Sequence, residues 1–255
     1  MLSAAPTGPT LTAMVGEGPI LSHRVYRAER HGRWSSGVAR AAVFGMSDGL
    51  VSNLSLVAGV AGASADRADV VVVGLAGLVA GALSMAVGEY VSVRANQELL
   101  EHELDIERAE IEHDPAGETR ELAGIYVERG LDQATAMKVA GRMMEDPETA
   151  LEAHAREELG LDPGALGSPV LAAASSFAAF SAGAAIPLLP WLLAGGTVAL
   201  VLSLVLGVVA ALALGAGLAL LTRRSRWRSA VRQAGLLLLA FAVTNVVGRL
   251  VGAAV

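Results

Sequence analysis

Five apolar segments, each long enough to cross the roughly 30 Å of hydrocarbon that about 20 helical residues span, constrain this chain before any motif is considered. They run Val38–Ala63, Val70–Val93, Pro169–Leu189, Trp191–Leu221 and Ala230–Ala254. Between the second and third lies an interval of opposite character. Glu98–Glu158 holds eighteen of the twenty-five carboxylates against six Lys and Arg, so this stretch alone carries about −12 while the whole chain carries −6. The expected fold is an all-α membrane protein, with five transmembrane helices and a cytosolic helical module between spans 2 and 3. The expected divisions are a cytosolic tail (1–37), the first two spans (38–96), the acidic module (97–165) and the last three spans (166–255).

Composition narrows the chemistry. Aromatics are only 4%, ordinary for membrane helices whose small residues let backbones approach closely. The absence of cysteine removes disulfides, thiolate metal sites and thiol nucleophiles. The histidines (His23, His31, His102, His113, His154) are scattered, and no HExxH, Walker or GxSxG pattern occurs. No enzyme, no permanent cofactor and no nucleic-acid partner is expected. The first forty residues lack an apolar core followed by a cleavage site, so they read as a tail rather than a signal peptide.

Basic residues orient the spans. Arg24, Arg27, Arg30, Arg33 and Arg40 precede or open the first span, and Thr222-Arg-Arg-Ser-Arg-Trp-Arg228 links the fourth to the fifth. Five spans with the amino terminus inside put both basic regions and the acidic module in the cytosol and the carboxyl terminus outside. Pro187 and Pro190 are expected to form the tight turn between spans 3 and 4. The second span carries no Gly or Pro from Glu89 to Asp114, so it reads as one helix that leaves the bilayer and enters the module. Shorter helices are expected near Gly117–Arg129, Asp132–Glu145 and Pro147–Leu159, punctuated by Gly130, Asp132 and Pro147.

Within the module, Glu103, Glu107, Glu110 and Asp114 share a helix face, and Glu118 and Glu121 repeat the spacing beyond the Pro115–Gly117 turn. Folded as a hairpin, the pairs Glu107/Glu110 and Glu118/Glu121 can face each other. Oxygen-rich clusters of this kind suit Mg²⁺, Ca²⁺, Mn²⁺ and Fe²⁺, although a solvated acidic face has the same spacing. His154 with Glu158 one turn on is a further candidate pair, against the ordinary reading of a lone surface histidine. Glu110-Ile-Glu-His113 has the Glu-x-x-His spacing of di-iron bundles, but a single copy argues against an oxidase. Met143 and Met144 are either soft ligands or packing.

Asp48 stands inside the first span, where a carboxylate costs about 2.5–3.5 kcal/mol and is a functional candidate by default. Ser47, Ser52, Asn53 and Ser55 add polarity consistent with a wet path. Asp48 lies fifteen residues before Ala63 and Met85 fifteen after Val70, which sets both at one depth, about 22 Å from the outer surface. A carboxylate beside a thioether holds a borderline divalent metal better than Mg²⁺ or Ca²⁺. Glu89, one turn nearer the cytosol, fits a mouth between pore and module. Gly77 and Gly81 form a small-xxx-small face.

Four features resemble the vacuolar iron transporter family. They are Ser47-Asp-Gly-Leu50, Gly81-Ala-Leu-Ser-Met85, the paired Glu spacing in an acidic insertion, and Glu158-Leu-Gly-Leu-Asp-Pro163. The resemblance runs from about Arg40 to the carboxyl terminus. It implies a homodimer of five-helix protomers with a path at the dimer interface, a cytosolic metal-binding module, and export of Fe²⁺ in exchange for protons. It makes Asp48 and Met85 pore ligands, and Glu107, Glu110, Glu118, Glu121 and Glu158 module ligands. Plant members carry a further pore carboxylate where this chain has Gly77, and Glu89 is the nearest substitute. Where the family has a methionine pair, this chain has His154-Ala155; His154 is then a candidate ligand, with selectivity shifted toward Mn²⁺ or Zn²⁺. The expected carrier exports Fe²⁺ or Mn²⁺; the alternatives are a broader divalent exporter and a membrane-anchored iron buffer or sensor. A bacterial plasma membrane is the expected location, with a vacuolar membrane as the alternative.

Overall fold

A computed structural model of the chain describes residues 37–63, 66–160 and 167–254. The amino-terminal tail and the end of the Glu158–Pro163 motif lie outside them. All the regular elements described are helices: α1 (Gly37–Ala63), α2 (Arg67–His113), α3 (Pro115–Glu128), α4 (Gln133–Met143), α5 (Pro147–Glu157), α6 (Pro169–Leu193), α7 (Gly196–Thr222) and α8 (Arg226–Ala254). Five of them, α1, α2, α6, α7 and α8, are long and apolar enough to cross a membrane.

Small residues let these five pack backbone to backbone. A Cβ on Gly49 of α1 would run into the Phe180 carbonyl of α6, and one on Gly183 of α6 would run into the Met46 carbonyl of α1. Glycine is required at both positions by close approach rather than by a turn. Gly248 of α8 meets the backbone of Gly59 in the same way. Buried and half-buried polar side chains add interhelical hydrogen bonds: Asn245 donates to the Ala58 carbonyl (2.9 Å), Ser203 to the Pro187 carbonyl (2.7 Å) and Gln233 to the Ser47 hydroxyl (2.5 Å). Gly77 and Gly81 do not form one helix-contact face. Gly81 receives the Phe180 ring of α6, whereas Gly77 faces Asn53 and Leu56 of α1.

The expected turn at Pro187–Pro190 is corrected. Helix α6 continues through both prolines to Leu193, and the turn falls at Ala194–Gly195, with Gly196 at φ +61°. Two prolines remove two N–H donors, but breaking the helix in lipid would orphan many more backbone groups. The helix end is instead satisfied by Arg67, whose guanidinium donates to the carbonyls of Trp191 (2.8 Å) and Leu192 (2.5 Å).

The continuous second helix is as expected, 47 residues from Arg67 to His113. Three short helices follow, each opened by an aspartate. Asp114 accepts from the Gly117 N–H, Asp132 from those of Ala134 and Thr135, and Asp146 from that of Thr149. Capping hydrogen bonds hold the Asp132 and Asp146 carboxyls below the usual range. Leu122, Ala123, Ala136 and Ala140 form the core between α3 and α4, with Tyr126 and Met143 against it. The Tyr126 hydroxyl donates to the Met143 sulfur (3.2 Å), so Met143 packs here rather than joining the carboxylates.

The α1–α6 contact yields the first prediction. Gly183→Val should abolish monodisperse protein in detergent, because the methyls meet backbone and not a movable side chain. Gly235→Val, with nothing within 4 Å of its Cβ, should elute as the native protein. Equal behaviour of the two variants on gel filtration would contradict the packing described.

Candidate metal centre and membrane cleft

Half of the carboxylates in the acidic interval are accounted for by caps and surface ion pairs. Arg94 pairs with Glu98 and Glu101, Arg108 with Asp105, Arg142 with Glu145, Arg156 with Glu152 and Arg129 with Glu157. A different arrangement holds where α2, α3 and α5 converge, beyond the apolar part of α2. His154 Nδ1 lies 3.0 Å from Glu107 Oε1, 3.3 Å from Glu158 Oε2 and 3.8 Å from Glu118 Oε2. One donor atom each from Glu107, His154 and Glu158 fall within 4.8 Å of one another, close enough to share an ion.

Burial distinguishes this knot from a solvated acidic face. His154 is wholly buried and Glu107 is 3% exposed, so the reading of His154 as a surface histidine is overturned. Helix α5 places it there: Ala150, Leu151 and Ala155 are buried with it on one face, and that face packs against α2. His154 Nε2 has no hydrogen-bond partner among the described residues, and Glu107 Oε1 has none beyond its 3.0 Å approach to His154 Nδ1. Burial pushes the Glu107 carboxyl up to about 7, reinforced by repulsion from Glu158, Glu118 and Glu110 and opposed by His154. Glu118 is raised as well, by burial and then by Glu121, with His154 again opposing. Buried like charges without a compensating cation are unfavourable. A divalent ion would relieve both the repulsion and the orphaned atoms, and mixed carboxylate and imidazole donors suit Mn²⁺, Fe²⁺ or Zn²⁺.

The other module candidates stand at the margin. Glu110 and Glu121 are exposed and reach the knot through their field on Glu107 and Glu118. Glu103 is half-buried and His113 exposed; neither belongs to the three-residue cluster, so the Glu-x-x-His spacing assembles nothing here.

Within the membrane helices, Asp48 and Met85 line one cleft of about 220 Å³, together with Ser52, Asn53, Gly77 and Phe180. Equal depth read by counting becomes spatial proximity. The lining runs from Asp48 to Leu56 on α1 and from Gly77 to Met85 on α2, eight residues or about 12 Å on each. Antiparallel helices therefore set Asp48 beside Met85 at one end and Leu56 beside Gly77 at the other. Asp48, Ser52 and Ser84 are exposed on the surface of the chain. The apolar window of α2 is only 17% buried. Glu89 is not part of this lining; it pairs with Arg40 at 3.6 Å, half-buried a turn away. Ser47 and Ser55 are turned from the cleft as well: Ser47 is engaged by Gln233 and Ser55 is buried. Sequence reasoning missed Phe180, whose sole signal was being one of two phenylalanines in a span of a chain that has only four.

A five-helix integral membrane protein, with a polar cleft between its first two spans and a carboxylate–histidine knot on an extension of the second, is the class these features define. The chain belongs to the VIT family, which matches over residues 39–249. It is 43% identical over 155 residues to "Vacuolar iron transporter" of Acanthamoeba castellanii, covering 61% of this chain and 56% of that protein. It is 38% identical over 134 residues to the protein of the same name from Toxoplasma gondii, covering 52% and 44%. With "Vacuolar iron transporter 1" of Oryza sativa it shares 31% over 192 residues, 75% of each chain. The matched region spans about half the length of the first two relatives.

Protonation of Glu107 can be read without metal. Its folded value of about 7 exceeds the ordinary 4.5, so the fold favours the protonated form. Its stabilising contribution is present below about 4.5 and lost as pH rises through about 7. Glu107→Gln mimics the protonated state. In chelator it should raise the melting temperature at pH 8 and leave it nearly unchanged at pH 5. A variant no more stable than the parent at pH 8 would remove the buried-charge account.

Proposed function

We propose that the protein carries Fe²⁺, and Mn²⁺ by the same path, out of the cytosol across a membrane in exchange for protons, acting as a homodimer. The observation that carries this reading is that one unbroken helix, α2, bears both Met85 in the membrane cleft and Glu107 in the carboxylate–histidine knot. The two are 22 residues apart, about 33 Å along a straight helix. The names of the curated relatives support iron as the cargo.

In this reading the cytosolic module collects the ion. Glu107, Glu118, His154 and Glu158 hold it, with Glu110 and Glu121 adding field and further oxygens at the rim. Glu89, paired with Arg40, stands between module and cleft. Asp48 and Met85 receive the ion inside the membrane. A protomer alone leaves the Asp48 carboxylate on a surface that would face lipid, at a cost of about 2.5–3.5 kcal/mol. A second copy placed against α1 and α2 covers that surface, and two Asp48 and two Met85 then supply four ligands where one protomer supplies two. The imidazole of His154 favours the broader cargo range over strict iron selectivity, because nitrogen donors bind Zn²⁺ as well as Fe²⁺. The amino terminus and module are cytosolic by the distribution of arginine.

Proteoliposomes test the proposal. Purified protein should move Fe²⁺ and Mn²⁺ faster than Ca²⁺, and faster with an opposing proton gradient. Asp48→Asn keeps the size and an oxygen but cannot exchange a proton. It should abolish proton-coupled flux while metal titration of the module stays near that of the parent. Parent-level flux with unchanged pH dependence in Asp48→Asn would make Asp48 structural and favour a metal buffer anchored by its helices.

Neutral substitution of the knot is the complementary case. Glu107→Gln, Glu118→Gln and Glu158→Gln combined should weaken Mn²⁺ binding at least tenfold by calorimetry. Unchanged affinity would place the ion elsewhere.

A further inference from the structure

Every arginine of the acidic module, from Arg94 to Arg156, pairs with a carboxylate. The link between α7 and α8 is the opposite case. Arg223, Arg224, Arg226, Arg228 and Arg232 are all exposed, and none has an ion pair or side-chain hydrogen bond among the described residues. No Asp or Glu stands anywhere in α6, α7 or α8, so these helices hold nothing to neutralise them. Trp227 lies in their midst with 74% of its surface exposed, whereas Trp191 is 1% exposed. Five like charges within ten residues repel one another, and an indole left in water forfeits its burial.

Helix contacts set the level of this link. Gln233 of α8 donates to Ser47 of α1, and further on Gly59 and Gly62 of α1 meet Thr244 and Asn245 of α8, so the two helices run parallel. Arg226 and Arg40 each precede that hydrogen bond by seven residues, about 10.5 Å, and stand at one level. Arg40 pairs with Glu89, from which α2 continues toward the module. The apolar run of α7 ends at Leu220, just before the arginines. The link therefore sits where the apolar spans stop, on the module's side, at the depth of lipid headgroups. Tryptophan is favoured at that depth, and guanidinium forks match phosphate oxygens.

We propose that the α7–α8 link is a binding surface for anionic phospholipids of the leaflet on the module's side, with its arginines on headgroup phosphates and Trp227 at the boundary between headgroups and acyl chains. Charge complementarity selects this occupant, because an anionic membrane surface holds a polybasic segment that adjoins a span. The acidic module is the other source of negative charge, but none of its carboxylates pairs with these arginines within the chain. Orientation of the spans requires the positive charge alone; it has no use for an exposed indole among the arginines. Lipid binding here is independent of which ion the protein carries.

Thermal unfolding of the full chain in mild detergent tests this, with phosphatidylcholine, with phosphatidylcholine containing about 30% phosphatidylglycerol, and with inorganic phosphate. The parent should melt about 3 °C or more higher with the anionic mixture than with phosphatidylcholine alone, and the increment should shrink as salt screens the charges. Arg223→Gln, Arg224→Gln, Arg226→Gln and Arg228→Gln combined should melt like the parent in phosphatidylcholine and lose at least half of the increment. Where the fourfold variant is not recovered, Arg223→Gln with Arg224→Gln should still reduce it. No increment in the parent, or a parent-sized increment in the variants, overturns the assignment. The same increment from inorganic phosphate alone overturns the membrane as the source of the ligand. A variant that keeps the increment but loses the dimer on gel filtration assigns the link to a second copy of the chain instead.

Discussion

Backbone contact between α1 and α6 is the interaction on which the rest of the membrane portion depends. It exists because Gly49 and Gly183 present no side chain to each other's helix. At that separation the Ala184 carbonyl comes within reach of Asn53, and the Phe180 ring extends past α1 to meet Gly81 of α2. Helix α2 is thereby held off α1 along part of its length, and the gap is the cleft. Replacing either close-packed glycine would move α6 outward and remove the floor of the cleft before touching any polar residue in it.

The knot on the α2 extension rests on an opposing pair of effects. Helix α5 is amphipathic, and burying Ala150, Leu151 and Ala155 necessarily buries His154 on the same face. That apolar packing draws Glu107 into the interior, where its charge is penalised by burial and by three neighbouring carboxylates. The module is thus stabilised by its alanine and leucine contacts and destabilised by its carboxylates, a balance that protons or a cation can tip. The carboxylates around it have been spent on other tasks. Asp114, Asp132 and Asp146 cap helices, and the arginines pair with those on the outside.

These two regions are joined by a single helix. Helix α2 runs unbroken from the Gly77–Met85 wall of the cleft to Glu107 in the knot, with Gly88 the one glycine between Met85 and Glu107.

The sequence by itself determined the elements. Apolar length set the five membrane helices, the absence of breakers carried α2 past the bilayer to His113, and Asp132 and Pro147 marked the starts of α4 and α5. Equal residue counts from a shared turn were enough to pair Asp48 with Met85, since helices in one hairpin have fixed rise. Tertiary structure decided what local pattern could not. The end of α6 moved past two prolines because Arg67, 124 residues away in sequence, supplied donors to its last carbonyls. Gly77 and Gly81 share a helix stripe yet serve different neighbours, which depends on where α1 and α6 lie. Among many carboxylates at similar spacing, Glu107, Glu118 and Glu158 converge on His154, because burial depends on which helix faces pack together. Spacing along one helix fixes a face but not what that face meets.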